Sequence, residues 1–221
     1  MNILYFHGFA SAGSSGTVNL LRNEFAPTGG EVKVVAPDIP VDPAEALPML
    51  KKLAAEVNPV LIIGTSMGGM YAQMMHGYRR ICVNPSFSLS KKTDIVYPGV
   101  HKWFNRRADG ETEFTVTEET VRHFREMEAG QFAGITAADR TLCHALFGDE
   151  DTIGLPHRAV FESHYPGMST LFHGGHRMNE RVVRHVLIPY IREKGLIEAR
   201  KDQGRSSRAQ GNCGSRRVDL V

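Results

Sequence analysis

The stretch Pro59-Val60-Leu61-Ile62-Ile63-Gly64-Thr65-Ser66-Met67-Gly68-Gly69-Met70-Tyr71-Ala72-Gln73-Met74-Met75 decides the fold. Val60 to Ile63 form a short apolar run with β-branched residues, the pattern of a buried strand. Gly68 to His76 carries the small and unbranched residues of a helix packed closely behind it. The chain must therefore turn sharply from strand to helix at Gly64-Thr65-Ser66-Met67-Gly68, which fits the Gly-x-Ser-x-Gly nucleophile elbow. In such a turn the serine takes a strained backbone conformation, and the flanking glycines keep side chains out of the crowded contact between strand and helix. Ser66 is expected at the carboxyl end of the strand and the N-terminus of the helix, where free N–H groups and a partial positive charge favour a developing oxyanion. A plain Gly/Ser-rich connecting turn could carry the same five residues. The apolar strand before it and the Gly-Gly-opened helix after it favour the functional reading.

Outward from this turn, strand and helix patterns alternate. Asn2 to Phe6 reads as a strand running into the small-residue loop His7 to Gly16, and Thr17 to Phe25 has helical spacing with Val18, Leu21 and Phe25 on one face. Glu31 to Ala36 is a second strand. Asp42-Pro43 opens a helix to Val57, with Asp42 as N-cap and proline at the first helical position. Arg80 to Val83 follows as a strand. Further strands are expected at Thr141 to Phe147 and Met168 to Phe172, with helices at His157 to His164 and Arg181 to Lys194. The alternation predicts an α/β fold with a mostly parallel central sheet and helices on both faces. Residues 88–139 interrupt it with mixed aromatics and charges and a helix from Thr117 to Glu128 capped by Thr117. We expect a small helical lid there, with Trp103, Phe104, Phe114, Phe124 and Met127 as candidate pocket walls. The expected organisation is one domain over residues 1–198 followed by a basic, unstructured tail at 199–221.

Composition bounds the function classes. The 221 residues are 42% hydrophobic and 23% charged, enough for one well-buried core, and a formal net charge of +2 is too small to imply nucleic acid. A basic groove with interleaved aromatics is absent, as is an apolar run of membrane-spanning length. The N-terminus enters a strand without the features of a secretory signal. Cys82 and Cys143 lie in apolar strand-like runs and Cys213 in the polar tail, which suggests reduced thiols and a cytoplasmic location.

A serine hydroxyl needs a base to take its proton, and the base needs an acid to orient it. His176 lies in the loop His173-Gly174-Gly175-His176 after the last strand, and Asp149, Glu150 and Asp151 follow the strand before it. The order Ser, acid, His is that of the α/β-hydrolase superfamily. The register after Gly148 favours Asp151 as the acid, with Asp149 as the alternative. His176 is preferred to His173 as the base. His-x-x-His without further ligands at suitable spacing makes no metal site. In this fold the second oxyanion donor comes from the loop after the first strand, which assigns the backbone N–H groups of Phe9 and Met67 to the oxyanion hole. His7 is read as bracing that loop.

His7-Gly8-Phe9 with its Ser-rich loop, Gly64-Thr65-Ser66-Met67-Gly68-Gly69, Val83-Asn84-Pro85, Gly148-Asp149-Glu150 and Gly175-His176 together resemble the small YqiA/YcfP-type bacterial esterases, over about residues 1–195. The resemblance implies a compact cytosolic hydrolase of short acyl or thioester-like substrates, with Ser66, His176 and Asp151 as triad. The additional acidic residue after Gly-Asp-Glu keeps Asp149 beside Asp151 as a candidate. The expected partner is a small-molecule acyl substrate, with no cofactor, nucleic acid or membrane. The rivals are acyl transfer, lactone opening or peptide cleavage on the same serine, a noncatalytic small-ligand-binding module of the same fold, and a polyanion-binding role for the tail.

Overall fold

The computed structural model describes residues 1–28 and 31–197. The expected tail at 199–221, and Cys213 within it, lie outside the described residues. In chain order the elements are β1 (Asn2–Phe6), α1 (Gly16–Phe25), β2 (Lys33–Val35), α2 (Pro43–Val57), β3 (Leu61–Thr65), α3 (Met67–Gln73), β4 (Arg80–Val83), β5 (Gly99–Lys102), β6 (Glu113–Val116), α4 (Glu118–Gly130), α5 (Ala137–Arg140), β7 (Cys143–Gly148), α6 (Arg158–His164) and β8 (Ser169–Phe172). A closing helix runs through α7 (Glu180–Val182), a π-helical segment (Val183–Leu187) and α8 (Ile188–Glu193).

Six strands form one sheet in the order β2-β1-β3-β4-β7-β8, every neighbouring pair parallel. The chain first steps from β1 outward to β2, then returns through α2 to place β3 on the other side of β1. The β1–β3 boundary is therefore the topological switch point, where a crevice opens beyond the carboxyl ends of the strands. Phe6 pairs with Gly64, Thr65 with Val83, Val83 with Leu146 and Gly148 with Phe172. This register aligns the strand ends, so the loops after β1, β3, β4, β7 and β8 leave one common edge.

Period-two alternation sends each strand's side chains to two cores. Leu4, Phe6, Ile62, Cys82, Ala145 and Phe147 pack on one face with Leu50 and Ala54 of α2, Phe124 of α4 and Phe161 of α6. Ile3, Tyr5, Ile63, Val83 and Leu146 pack on the other with Val18 and Leu21 of α1 and Leu187 and Ile191 of the closing helix. Helix starts follow their local chemistry. Asp42 accepts the Ala44 N–H at 2.8 Å ahead of Pro43, and Thr117 and Thr120 form a reciprocal capping box. Cys82 and Cys143 are buried free thiols with Sγ atoms 3.9 Å apart on adjacent strands. Among the described residues, no helix is long and apolar enough to cross a membrane.

The insertion between β4 and β7 adds to its helices an antiparallel hairpin, β5–β6, that hydropathy did not resolve. Of the expected pocket walls, Phe124 is fully buried in the α2–α4 packing and belongs to the core, and Phe104 is 79% exposed at the hairpin connection. Trp103 and Phe114 meet in a tilted contact with ring centroids 4.1 Å apart, and Phe114 also meets Phe9 in the loop after β1. Arg80, a charged residue opening a strand, is fully buried, because its guanidinium meets Asp139 Oδ2 at 2.8 Å and the Gln73 carbonyl at 2.8 Å.

Candidate active site

The site begins with a strained residue. Ser66 stands between β3 and α3 at φ 54°, ψ −120°. A non-glycine residue held at positive φ costs ~1–3 kcal/mol and persists only where its surroundings enforce it. Here they do. Ser66 N–H donates to the Val83 carbonyl at 3.1 Å, and its own carbonyl accepts from Gly69 at 3.0 Å and Ser86 at 3.1 Å. A Cβ on Gly64 would overlap the Gly68 carbonyl, and one on Gly68 would overlap the Phe6 carbonyl. The two elbow glycines thus let β3, α3 and β1 close around the serine, as the motif requires.

His176 and Asp151 reach the same point from the last two strand ends. His176 Nε2 accepts the Ser66 hydroxyl at 3.0 Å, and its Nδ1–H donates to Asp151 Oδ2 at 2.8 Å. This pairing sets the tautomer of the neutral ring. Asp151 is 1% exposed. Burial pushes its carboxyl up, but the His176 hydrogen bond and the N–H groups of Gly154 and Ile153 outweigh burial and hold it below the usual carboxylate range. The carboxylate is therefore ionised beside the imidazole at neutral pH.

The alternatives occupy other positions. Asp149 accepts the Gly174 N–H at 3.1 Å and lies 3.3 Å from His173 Nδ1, so its partners are Gly174 and His173 and not His176. The Gly174 hydrogen bond, with His173 beside it, lowers its pKa. Glu150 and His173 are exposed. His7 is buried and accepts the Ile39 N–H on Nε2 at 3.1 Å, so Nδ1 carries the proton and donates to the Gly8 carbonyl at 2.8 Å. Burial pushes its pKa down to about 4. It is a neutral brace with both nitrogens engaged.

The loop after β1 passes beside the serine. A Cβ on Gly8 would stand 3.4 Å from Ser66 Cβ and 3.9 Å from Ser66 Oγ. Phe9 follows directly, and Met67 is the first residue of α3, whose N–H has no partner within its own helix. The β5–β6 hairpin clamps this loop from above. Phe104 N–H donates to the Ala10 carbonyl at 2.7 Å, Ser11 Oγ to Asn105 Oδ1 at 3.0 Å, and the Phe9 ring meets Phe114 edge-on at 5.5 Å. Asp38 ties the two together, accepting from Gly13 N–H and Ala108 N–H, both at 2.7 Å.

Sequence reasoning assigned no role to three residues around the site. Asp38 had only a turn-like Pro-Asp setting to signal it. Asn84 follows β4, is fully buried and bonds the loops that carry Asp151 and His176. His157, just before α6, stands 5.8 Å from the Phe87 ring, and burial, with Lys92 nearby, pushes its pKa down to about 4. Nothing in the local sequence distinguishes it.

The sheet order, the strained serine and the strand-end loops define the α/β-hydrolase fold, and solved structures of that fold superimpose on the chain. Est1E from Butyrivibrio proteoclasticus, solved with ferulic acid bound, matches with a TM-score of 0.61 at 11% identity, covering 87% of this chain and 88% of its own. The monoacylglycerol lipase of Paleococcus ferrophilus matches at 0.57 and 13% identity, covering 86% and 93%. Mouse alpha/beta hydrolase domain-containing protein 10 matches at 0.58 and 14% identity, covering 87% and 88%. The chain itself belongs to UPF0227, an uncharacterised protein family whose model matches residues 2–125. Ser66, Phe9 and Met67 fall within the matched span, and Asp151 and His176 beyond it.

Proposed function

We propose that the protein is a serine hydrolase that cleaves a carboxylic ester or thioester of a small acyl substrate through an acyl-enzyme. The observation that carries this reading is the unbroken pair of hydrogen bonds from Ser66 Oγ to His176 Nε2 and from His176 Nδ1 to Asp151 Oδ2. In the reaction, His176 Nε2 takes the hydroxyl proton as Ser66 Oγ bonds to the acyl carbon. Asp151 holds the ring in the required tautomer and stabilises the imidazolium that forms. The carbonyl oxygen becomes an oxyanion held by the N–H groups of Phe9 and Met67, and its collapse expels the alkoxide or thiolate, which takes the proton from His176. Water then attacks the acyl-enzyme with His176 as base, releasing the acid and restoring Ser66.

The monoacylglycerol lipase among the superimposed structures supports hydrolysis as the class. The aromatic hairpin over the β1 loop supports a small acyl group, and free buried thiols fit a cytoplasmic setting. The test is release of p-nitrophenol from acetate, butyrate and octanoate esters, with a competing alcohol in parallel. Hydrolysis that falls with chain length and is lost in Ser66→Ala supports the reading. Transfer of the acyl group to the alcohol in preference to water would replace hydrolase by acyltransferase, and no turnover by the wild type would count against both.

A further inference from the structure

Three strand ends meet at one buried amide. Asn84 follows the last residue of β4 with φ 46°, a left-handed conformation that asparagine tolerates better than most residues, and it is 0% exposed. Its backbone N–H continues the sheet ladder to the Leu146 carbonyl at 2.8 Å. Its side chain spans the end of the neighbouring strand β7 and the loop after β8, the next strand beyond it. Oδ1 accepts the Gly148 N–H at the end of β7 at 2.7 Å, and Nδ2 donates to the carbonyls of Gly175 at 2.9 Å and His176 at 3.1 Å. The amide orientation is fixed by these partners, since the flipped amide would set its NH2 against an N–H and its oxygen against two carbonyls.

Only a short primary amide supplies two donors and an acceptor at this distance. Aspartate would put acceptors against the two carbonyls, and glutamine is one methylene too long. The surroundings are closed as tightly. A Cβ on Gly148 would overlap the Gly174 carbonyl, and one on Gly154 would stand 3.1 Å from Asn84 Cα. Asn84 thus lies between the loop that starts at Gly148 and carries Asp151 and the loop that carries His176.

We propose that Asn84 is a positioning residue, which ties the acid loop and the base loop to the end of β4 and so sets the His176 ring between Asp151 and Ser66. This rests on the assignment of those three residues as the triad. Asn84 touches no reacting atom and acts through the backbone of His176. Misplacement of a catalytic group by ~1 Å costs on the order of 100-fold.

Two variants separate the contacts. Asn84→Asp keeps an acceptor for the Gly148 N–H and removes both donors to the base loop. Asn84→Gly removes the whole side chain and suits the positive φ, so it keeps the backbone unstrained. Each is measured for thermal unfolding, for kcat and KM on p-nitrophenyl acetate, and for the low-field proton resonance of His176 Nδ1–H. Folded variants with kcat down ~100-fold, KM little changed and that resonance lost or moved are expected. Folded variants with kcat within about twofold of wild type and an unchanged resonance would overturn the proposal, as would failure of both variants to fold, which would assign Asn84 to stability alone. A wild type without activity would remove the hydrolase reading, while the resonance would still report whether Asn84 holds the His176–Asp151 pair.

Discussion

His176 Nδ1 lies 2.8 Å from Asp151 Oδ2, whereas Asp149, two residues earlier in the chain, holds the Gly174 amide and the His173 ring. The two carboxylates therefore have separable effects. Asp151→Asn offers the ring an amide in place of the carboxylate and favours the wrong tautomer, so kcat should fall on the order of 10⁴-fold with the fold intact. Asp149→Asn retains an oxygen for the Gly174 N–H and should stay within a few-fold. Steady-state kinetics of the two variants, each checked by circular dichroism, would contradict the assignment if their order reversed.

Gly68 is required by the approach of α3 to β1. The Cβ of Gly68→Ala would overlap the Phe6 carbonyl, a backbone atom that cannot rotate away. Overpacking of this kind costs ~3 kcal/mol or more, and a domain of this size loses roughly 2–4 °C in Tm per kcal/mol. We expect a fall in Tm of ~6–12 °C or more. A Gly68→Ala protein melting with the wild type would contradict the packing described for the elbow.

His7 predicts how stability depends on acid. Burial lowers its pKa from 6.5 to about 4 in the folded state, the Gly8 hydrogen bond only partly opposing it. The unfolded chain therefore takes up a proton first as the pH falls. Stability is at its full value above pH 6.5 and is lost progressively between 6.5 and about 4. For this residue the loss is on the order of 3 kcal/mol, at ~1.4 kcal/mol per tenfold. Urea unfolding of wild type and His7→Gln across this range is the check. The variant should show a shallower pH slope, and an unchanged slope would mean that His7 is not held neutral.

The parts of the fold legible in the sequence are those whose cause is local. The apolar runs of β1, β3, β4 and β7, the Asp42-Pro43 helix start and the Thr117 cap follow from hydrophobic period and capping chemistry within a few residues, and the structure holds them at those positions. So does the elbow, because Gly64, Ser66 and Gly68 express one tight turn. The hairpin was not legible. Gly99–Lys102 is four residues long with its valine 65% exposed, and its His101 ring packs edge-on at 6.2 Å against Phe9, in the loop after β1. In the sequence Arg80 is only the first residue of a strand, and its buried pairing depends on Asp139 arriving opposite it. In the sequence Asn84 is only the middle of Val83-Asn84-Pro85 after a strand, and its role depends on residues 148, 175 and 176 converging on its amide.

The most direct test of the account is reaction with a fluorophosphonate, followed by mass spectrometry of the modified peptide, in wild type, Ser66→Ala and His176→Ala. The account predicts a single adduct on Ser66, absent from Ser66→Ala and strongly slowed in His176→Ala. A folded wild type that stays unlabelled, or an adduct on another residue, would contradict it.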